Sequence, residues 1–197
     1  MKTMKKRKLS KGKIILVFFS VISTFGFSQK PDWMKPHPEG RSVFVQGLLV
    51  DKADSLKVLS GSVLITNVEN SNESYLLQTN RTGIFQFHLW ENSRYTAAFS
   101  CDGYVSRKIE FDTHDVPNKA WKSGCNIELK MSLDLKPQGF KELVAVLPFA
   151  TFKYDIDERI FLFDVSRTDA IIQRYEEELE RARAAEKPQV EPNGPQD

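Results

Sequence analysis

Residues 79–104 contain two stretches in which apolar and polar side chains alternate, each bounded by residues that favour turns. The first stretch places three apolar side chains on one face: Phe85, Phe87 and Leu89. After a break at residues 91–93, the second stretch does the same with Tyr95, Ala97 and Phe99. A period of two is typical of strands that bury one face. The two stretches therefore predict a β-hairpin whose apolar face belongs to a core.

Five further segments have the composition of short strands and are separated by turn-forming residues: 44–51, 60–67, 73–79, 105–112 and 126–133. Gly47 lies inside the first of them, where a glycine weakens a strand unless a bulge or close packing requires it. Seven short strands joined by turns predict a mainly β fold. We expect a seven-stranded antiparallel β-sandwich over residues 43–133.

The order of these residues resembles the carboxypeptidase regulatory-like domain, a small transthyretin-like (prealbumin-like) β-sandwich. The residues that match its hairpin pattern are Thr79, Gly83, Phe85, Phe87, Leu89, Tyr95, Phe99, Ser100, Gly103 and Tyr104. Its usual opening pattern is matched by Val45, Gly47, Leu49 and Asp51. Asn80 stands where the family usually has Asp, which removes a carboxylate but keeps a turn-forming residue. The resemblance implies the accessory sandwich that is attached to some carboxypeptidases, without catalytic residues.

The first 28 residues have the pattern of a secretory signal peptide. A basic run precedes an apolar run from Ile14 to Phe27, and small residues at Gly26 and Ser28 predict cleavage after Ser28. A retained membrane anchor is the alternative, although the apolar run is shorter than the ~20 residues of a spanning helix. The chain has 28 basic and 26 acidic residues, and the signal segment holds seven of the basic ones. A mildly acidic exported chain would then remain, which is a poor candidate for nucleic-acid binding.

Two cysteines in an exported chain raise the question of a disulfide. Cys101 ends one predicted strand and Cys125 begins another. Whether they come within bonding range depends on the sheet order, which the sequence leaves open. The alternative is that both are small apolar residues of the core.

Two tryptophan-containing segments flank the predicted strands. Residues 29–42 hold three prolines and predict an extended leader, in which Trp33 and Met34 would dock on the domain itself or on a partner. The polar loop 113–124 carries Trp121, which we expect to plug one end of the core. The alternative for Trp121 is a ligand platform, because aromatic residues dominate recognition sites.

The chain beyond residue 133 changes character. Residues 134–165 predict a proline-interrupted strap and a small hairpin, residues 166–187 a charged helix, and residues 188–197 a disordered tail. Ser166 and Asp169 have the spacing of a helix-capping box. The helix has a narrow apolar stripe, with three candidate partner contacts: Ile171, Tyr175 and Leu179. The sequence does not decide whether the stripe meets a partner or the sandwich.

The sequence contains fragments of catalytic and metal-binding motifs, but none is complete. His88 and Glu91 have the H-x-x-E spacing of zinc sites without a third ligand or a second motif histidine. The acidic turn at Asp155, Asp157 and Glu158 has too few ligands for a defined calcium loop. We therefore expect no enzymatic activity, no catalytic residue, no metal and no cofactor.

These observations favour a non-enzymatic, exported protein-interaction module of the periplasm or outer membrane. Domains of the family that it resembles commonly sit beside or within outer-membrane transport, secretion and assembly machines, which implies an accessory subunit that binds an envelope protein. The alternative is a carbohydrate-binding accessory domain. Its aromatic platform would be formed by exposed Trp90, Tyr95 or Trp121.

Overall fold

The computed structural model describes residues 30–70, 73–142, 147–164 and 168–186. The predicted signal peptide, the predicted tail from residue 188 and the capping residue Ser166 lie outside the described residues. The mainly β class, the sandwich and the carboxy-terminal helix are confirmed.

The seven predicted strands are all present, with small shifts at their ends. They are β1 (Ser42–Asp51), β2 (Ser62–Asn67), β3 (Ser74–Gln78), β4 (Ile84–Trp90), β5 (Arg94–Ser100), β6 (Arg107–Asp112) and β7 (Cys125–Leu133). Two more strands follow, β8 (Pro148–Asp155) and β9 (Ile160–Asp164). In the described part of the chain they form a three-stranded sheet, ordered β4-β1-β7, and a six-stranded sheet, ordered β3-β2-β5-β6-β8-β9.

Two of the strand pairs are parallel, and for one of them, β1 with β7 inside the predicted sandwich, the prediction of antiparallel pairing is wrong. β7 pairs parallel to β1, with Val43 opposite Cys125, and β8 pairs parallel to β6. The other described pairs are antiparallel. Parallel partners need a long crossover between them, and no local turn residue specifies such a pairing.

The predicted small hairpin is β8 and β9, and it extends the large sheet. Phe111 of β6 and Phe152 of β8 stack with ring centroids 5.4 Å apart and planes 11° apart. The hairpin is thus held by a neighbouring strand. β9 is consequently the last strand of the sheet.

The alternating apolar side chains fill the space between the two sheets, as the pattern predicts. The buried residues contributed by β4 and β5 are Phe85, Phe87, Leu89, Tyr95, Ala97 and Phe99. The ring of Phe87 meets that of Phe111 edge-on at 6.2 Å between centroids. One continuous core therefore joins the small sheet to the middle of the large one.

Gly47 lies where β1 is squeezed between its two neighbours, which confirms that close packing requires a glycine. A methyl group at this position would overlap the carbonyl oxygen of Leu129 and lie 2.6 Å from Cζ of Phe85. We expect Gly47→Ala to lower the free energy of unfolding by about 1–3 kcal/mol, the usual cost of overpacking. Denaturant titration measures this loss. A variant as stable as the native chain would show that β1 can move away from β7.

Two tryptophans close one end of the sandwich. The leader forms a short 3₁₀ helix at Asp32–Met34, which buries Trp33 and Met34 and stacks Trp33 on Tyr95 at 5.6 Å. The leader therefore docks on its own domain. The segment predicted as a polar loop contains a helix, α1 (Asn118–Ser123), which buries Trp121 in the same core.

The carboxy-terminal helix α2 (Asp169–Glu186) packs on the sandwich. The buried side chains of α2 are Tyr175, Leu179 and Ala182. They form a second apolar cluster with Val105 and Phe140. The rings of Phe140 and Phe149 both meet Tyr175 edge-on at 5.9 Å. Two of the three predicted partner contacts, Tyr175 and Leu179, are therefore covered by the chain itself, and Ile171 is half-buried.

Candidate functional site

The exposed edge of β9 has the chemistry of an interaction surface. β9 pairs with β8, and no other described strand is hydrogen-bonded to its outer edge, although β9 also contacts β7 of the small sheet. Ile160 is 52% exposed, Leu162 39% and Phe163 47%. An apolar strand with unpaired backbone groups is a template for pairing with another chain. Lysine, proline or a bulge, which protect such edges, do not occur within β9.

The opposite edge strand, β3, gives a comparison within the same sheet. Its central residue Leu76 is 54% exposed, but its neighbours Tyr75 and Leu77 pack against the core. β3 therefore presents one exposed apolar side chain, whereas β9 presents three. The contrast makes β9 the stronger candidate for a contact.

The turn before β9 is built around one carboxylate. Oδ1 of Asp155 accepts hydrogen bonds from the backbone N–H groups of Asp157 and Glu158, both at 2.9 Å. Arg159 then adopts a left-handed backbone with φ of 59°. An L-residue pays about 1–2 kcal/mol for this conformation, which glycine adopts freely. The acidic cluster thus forms a hairpin turn, and the strained position carries an arginine.

A groove of about 540 Å³ lies beside this turn, between α1, the start of β7 and the start of β9. Tyr154 and Phe161 meet edge-on at 5.6 Å and form part of its apolar lining, together with Ile156 and Ile160. Lys119 and Arg159 also line the groove. Among its lining residues there is no aspartate or glutamate. The groove can therefore accept an apolar group together with an anionic one.

The helix stripe is unavailable because a buried carboxylate, Asp134, ties α2 to the sandwich. Oδ2 of Asp134 accepts hydrogen bonds from the Tyr175 hydroxyl at 2.9 Å, from Arg107 at 2.9 Å and from Lys52 at 3.2 Å. Its other oxygen accepts one from Arg183 of α2 at 3.2 Å. One side chain thus connects the residue after β1, strand β6, and two positions of α2, Tyr175 in its first half and Arg183 in its last turn.

The protonation states of this network favour the docked helix. Burial alone would raise the pKa of Asp134, but the Tyr175 hydrogen bond and the charges of Lys52 and Arg107 outweigh it and hold the pKa below its ordinary value. Burial raises the pKa of Tyr175 to about 12. The carboxylate is therefore charged and the phenol protonated at neutral pH, as their hydrogen bond requires.

Two of the three residues of the predicted carbohydrate platform are buried. Tyr95 is 1% exposed and Trp121 6% exposed. Trp90 is half-buried, donates from Nε1 to the carbonyl of Lys35 at 2.9 Å and meets the His37 ring at 4.8 Å. Burial of this kind is incompatible with a stacking platform made by these three residues, because sugar rings need an open aromatic face.

The two cysteines are free, and they lie at opposite ends of the sandwich. Cys125 is opposite Val43 on β1, whereas Sγ of Cys101 is 3.4 Å from the carbonyl of Ser60, beside Leu49. Six residues of strand separate Val43 from Leu49, or about 20 Å. Disulfide partners have Cα atoms about 4.4–6.8 Å apart, so the disulfide interpretation is wrong for this fold.

His88 and Glu91, which have the H-x-x-E spacing of zinc sites, make separate contacts with other residues. Nδ1 of His88 lies 3.2 Å from the Ser42 hydroxyl, while Glu91 pairs with Arg41 at 3.0 Å. Within the described ranges, no group of three or more histidine, cysteine, aspartate or glutamate residues is arranged to hold a metal ion. Nor does any helix there have the length and apolarity needed to cross a membrane.

Sequence reasoning missed a contact between two residues that belong to the resemblance pattern. The hydroxyl of Tyr104 donates to the buried carboxylate of Asp51 at 2.8 Å, and Lys57 binds the same hydroxyl at 2.8 Å. The contact ties the end of β1 to the loop after β5. The recurrence of Asp51 and Tyr104 in one family pattern was the available signal, because alternation alone says nothing about polar pairs.

Comparisons with known proteins show no family for this chain. No protein-family model matches the chain, and no curated protein matches it. Among solved structures, the Bacillus anthracis TIE protein is 20% identical over 48% of this chain and 17% of its own, with a TM-score of 0.37. The catechol 1,2-dioxygenase of Acinetobacter sp. ADP1 is 10% identical over 57% of this chain and 56% of its own, with a TM-score of 0.36.

A third neighbour is the C-terminal domain of the shaft pilin spaA from Lactobacillus rhamnosus GG. It is 10% identical over 48% of this chain and 98% of its own, with a TM-score of 0.33. This chain thus spans about a sixth of the TIE protein chain and about half of the dioxygenase chain. Structural likeness of this extent does not imply a function.

Proposed function

We propose that this protein is a non-enzymatic, exported interaction module of the carboxypeptidase regulatory-like type. It would act as an accessory subunit that binds a protein of the periplasm or outer membrane, within a transport, secretion or assembly machine. The sequence pattern of the first 28 residues supports export, and the ordered match from Val45 to Tyr104 supports the domain type. The partner is an envelope protein, with no role for nucleic acid.

The observation that carries this proposal is the apolar, unpaired edge of β9. An apolar strand edge without a hydrogen-bonded neighbour is a site at which another chain can add a strand. Strand addition would give hydrogen-bond partners to the outward backbone groups of residues 160–163 and cover Ile160, Leu162 and Phe163. The proposed interface thus lies on β9, and α2 serves to complete the domain.

A pair of charge substitutions tests this interface. Leu162→Lys places a charge at the centre of β9, and Leu76→Lys makes the same change at the centre of β3, the other edge of the same sheet. Tagged full-length chains would be expressed in the native host, crosslinked in the intact envelope and purified with their partners. We expect Leu162→Lys to lose the envelope protein that the native chain and Leu76→Lys both recover.

Stability measurements separate lost contacts from lost folding. Both leucines are partly exposed, so each substitution should change the free energy of unfolding by no more than roughly 0.5 kcal/mol. Recovery of the same partner by Leu162→Lys would contradict the β9 interface. If Leu76→Lys alone failed to recover the partner, the interface would lie on β3 and not on β9.

A carbohydrate-binding role has less support. Of the aromatic residues proposed for it, Tyr95 and Trp121 lie in the core. A glycan array that bound the native chain, with binding abolished by Trp90→Ala, would nevertheless favour that function over the one proposed here.

A further inference from the structure

Resting on the proposed function, we propose that the partner segment is an extended, acidic peptide. It pairs with β9 and places a large apolar side chain and an adjacent carboxylate in the groove lined by Lys119 and Arg159. The groove would then determine which peptide sequences bind, whereas the edge of β9 determines where they bind.

The position of the groove follows from the alternation of side chains along β9. Phe161 lines the groove, and Phe163 lies on the same face of the strand two residues later. A strand added to β9 places the residue opposite Phe161 on that same face, within about 5 Å of it. One side chain of the added strand is thereby directed at the groove.

The size and lining of the groove fit a large apolar side chain. A volume of about 540 Å³ falls within the ~300–1,000 Å³ range of binding sites that enclose an organic group. Its apolar lining includes the edge-to-face pair of Tyr154 and Phe161. Such a pair leaves ring faces and edges to which another aromatic or branched side chain can pack.

The charges at the groove favour an anionic group beside that side chain. Lys119 and Arg159 are exposed, and neither has an ion pair among the described residues. Of the acidic residues in the adjacent turn, Asp155 accepts the turn's N–H groups through Oδ1, while Asp157 and Glu158 are exposed and do not line the groove. A carboxylate of the partner would meet two cations with no competing carboxylate in the lining.

The backbone of Arg159 also bears on the choice of residue at this place. Its φ of 59° is the conformation that glycine adopts without strain, so the shape of the turn does not itself favour an arginine. The guanidinium lies at the groove, where it can bind a carboxylate through two parallel hydrogen bonds.

The test uses a phage-displayed library of random linear peptides, selected on the full-length exported chain. We expect enriched peptides to share an aromatic or large aliphatic residue next to aspartate or glutamate. A synthetic peptide of the enriched sequence should bind more weakly as salt rises. Replacing its acidic residue by glutamine or asparagine should weaken binding about fivefold, the upper range for an exposed ion pair.

Variants of the chain then assign the preference to the groove. Arg159→Gly should weaken binding of the acidic peptide about fivefold while leaving the thermal midpoint unchanged or higher, because glycine relieves the backbone strain. Lys119→Gln should have a similar effect on binding. Lys122→Gln, on the same helix but outside the groove, is the matched control and should change nothing.

The outcomes separate this inference from the proposed function. If the enriched peptides lose binding with Leu162→Lys but show no acidic preference and tolerate Arg159→Gly, the groove inference is wrong and β9 stands as the interface. If no peptide is enriched, an extended segment is not the ligand and the inference is overturned. Crosslinking in the envelope then tests the proposed function on its own.

Discussion

Phe87→Ala should lower the free energy of unfolding by about 3–5 kcal/mol, because it deletes a buried aromatic ring from the centre of the core. Phe87 is 1% exposed and lies between the rings of Phe85 and Phe111, each 6.2 Å away. A cavity between two sheets cannot collapse without bending a strand, so both the transfer and the packing contributions are lost. Denaturant unfolding of the chain measures the effect.

Gln86→Ala is the matched control for this experiment. Gln86 precedes Phe87 on β4 and points to the exposed face of the same strand. We expect its substitution to stay within roughly 0.5 kcal/mol of the native stability. Equal effects of the two substitutions would mean that β4 does not bury the face described here.

Asp134→Asn should destabilise the chain by about 3 kcal/mol and release α2, because it removes the anion from a buried charged network. Arg107 is almost buried beside Asp134 and would lose its charged partner, while its guanidinium stays over the ring of Phe149 at 4.5 Å. Limited proteolysis should cut the variant within α2. Asp115→Asn, at an exposed aspartate, should leave both stability and protease resistance unchanged.

The same carboxylate predicts an acid-sensitive helix. The pKa of Asp134 is lower in the folded chain than its ordinary value of about 3.9, so its contribution to stability is present above that value. The contribution is lost as the pH falls through the lowered pKa and Asp134 takes up a proton. The native chain should therefore lose protection of α2 in acid, and Asp134→Asn should show a weaker pH dependence of that protection.

The strands were predictable because each one carries its own signal. Alternation with turn residues on either side located β4 and β5, and the buried faces of both follow the pattern. The parallel pairs β1–β7 and β6–β8 were not predictable, since they join segments that are far apart in the sequence. Whether Cys101 and Cys125 could form a disulfide was unpredictable for the same reason. The distance between them depends on which ends of the strands lie together.

The candidate site on β9 could not be predicted from the sequence for a related reason. The apolar residues of β9 have the same composition as a core strand, and only the sheet order shows that Leu162 lies on an open edge. The sequence also left open what covers the apolar stripe of α2, because nothing in the strap indicates that Asp134 and Phe140 contact the helix. The solvent exposure of a side chain depends on the assembled fold, and it cannot be inferred from the local pattern of apolar and polar residues.

Hydrogen–deuterium exchange of the full-length chain, free and bound to its copurified envelope partner, shows whether the partner binds along β9. Strand addition would give the outward N–H groups of β9 hydrogen-bond partners, so their exchange should slow on binding. The amides of α2 and of the edge strand β3 should exchange at the same rate in both states. Protection of α2 or β3 with unchanged exchange in β9 would contradict the account.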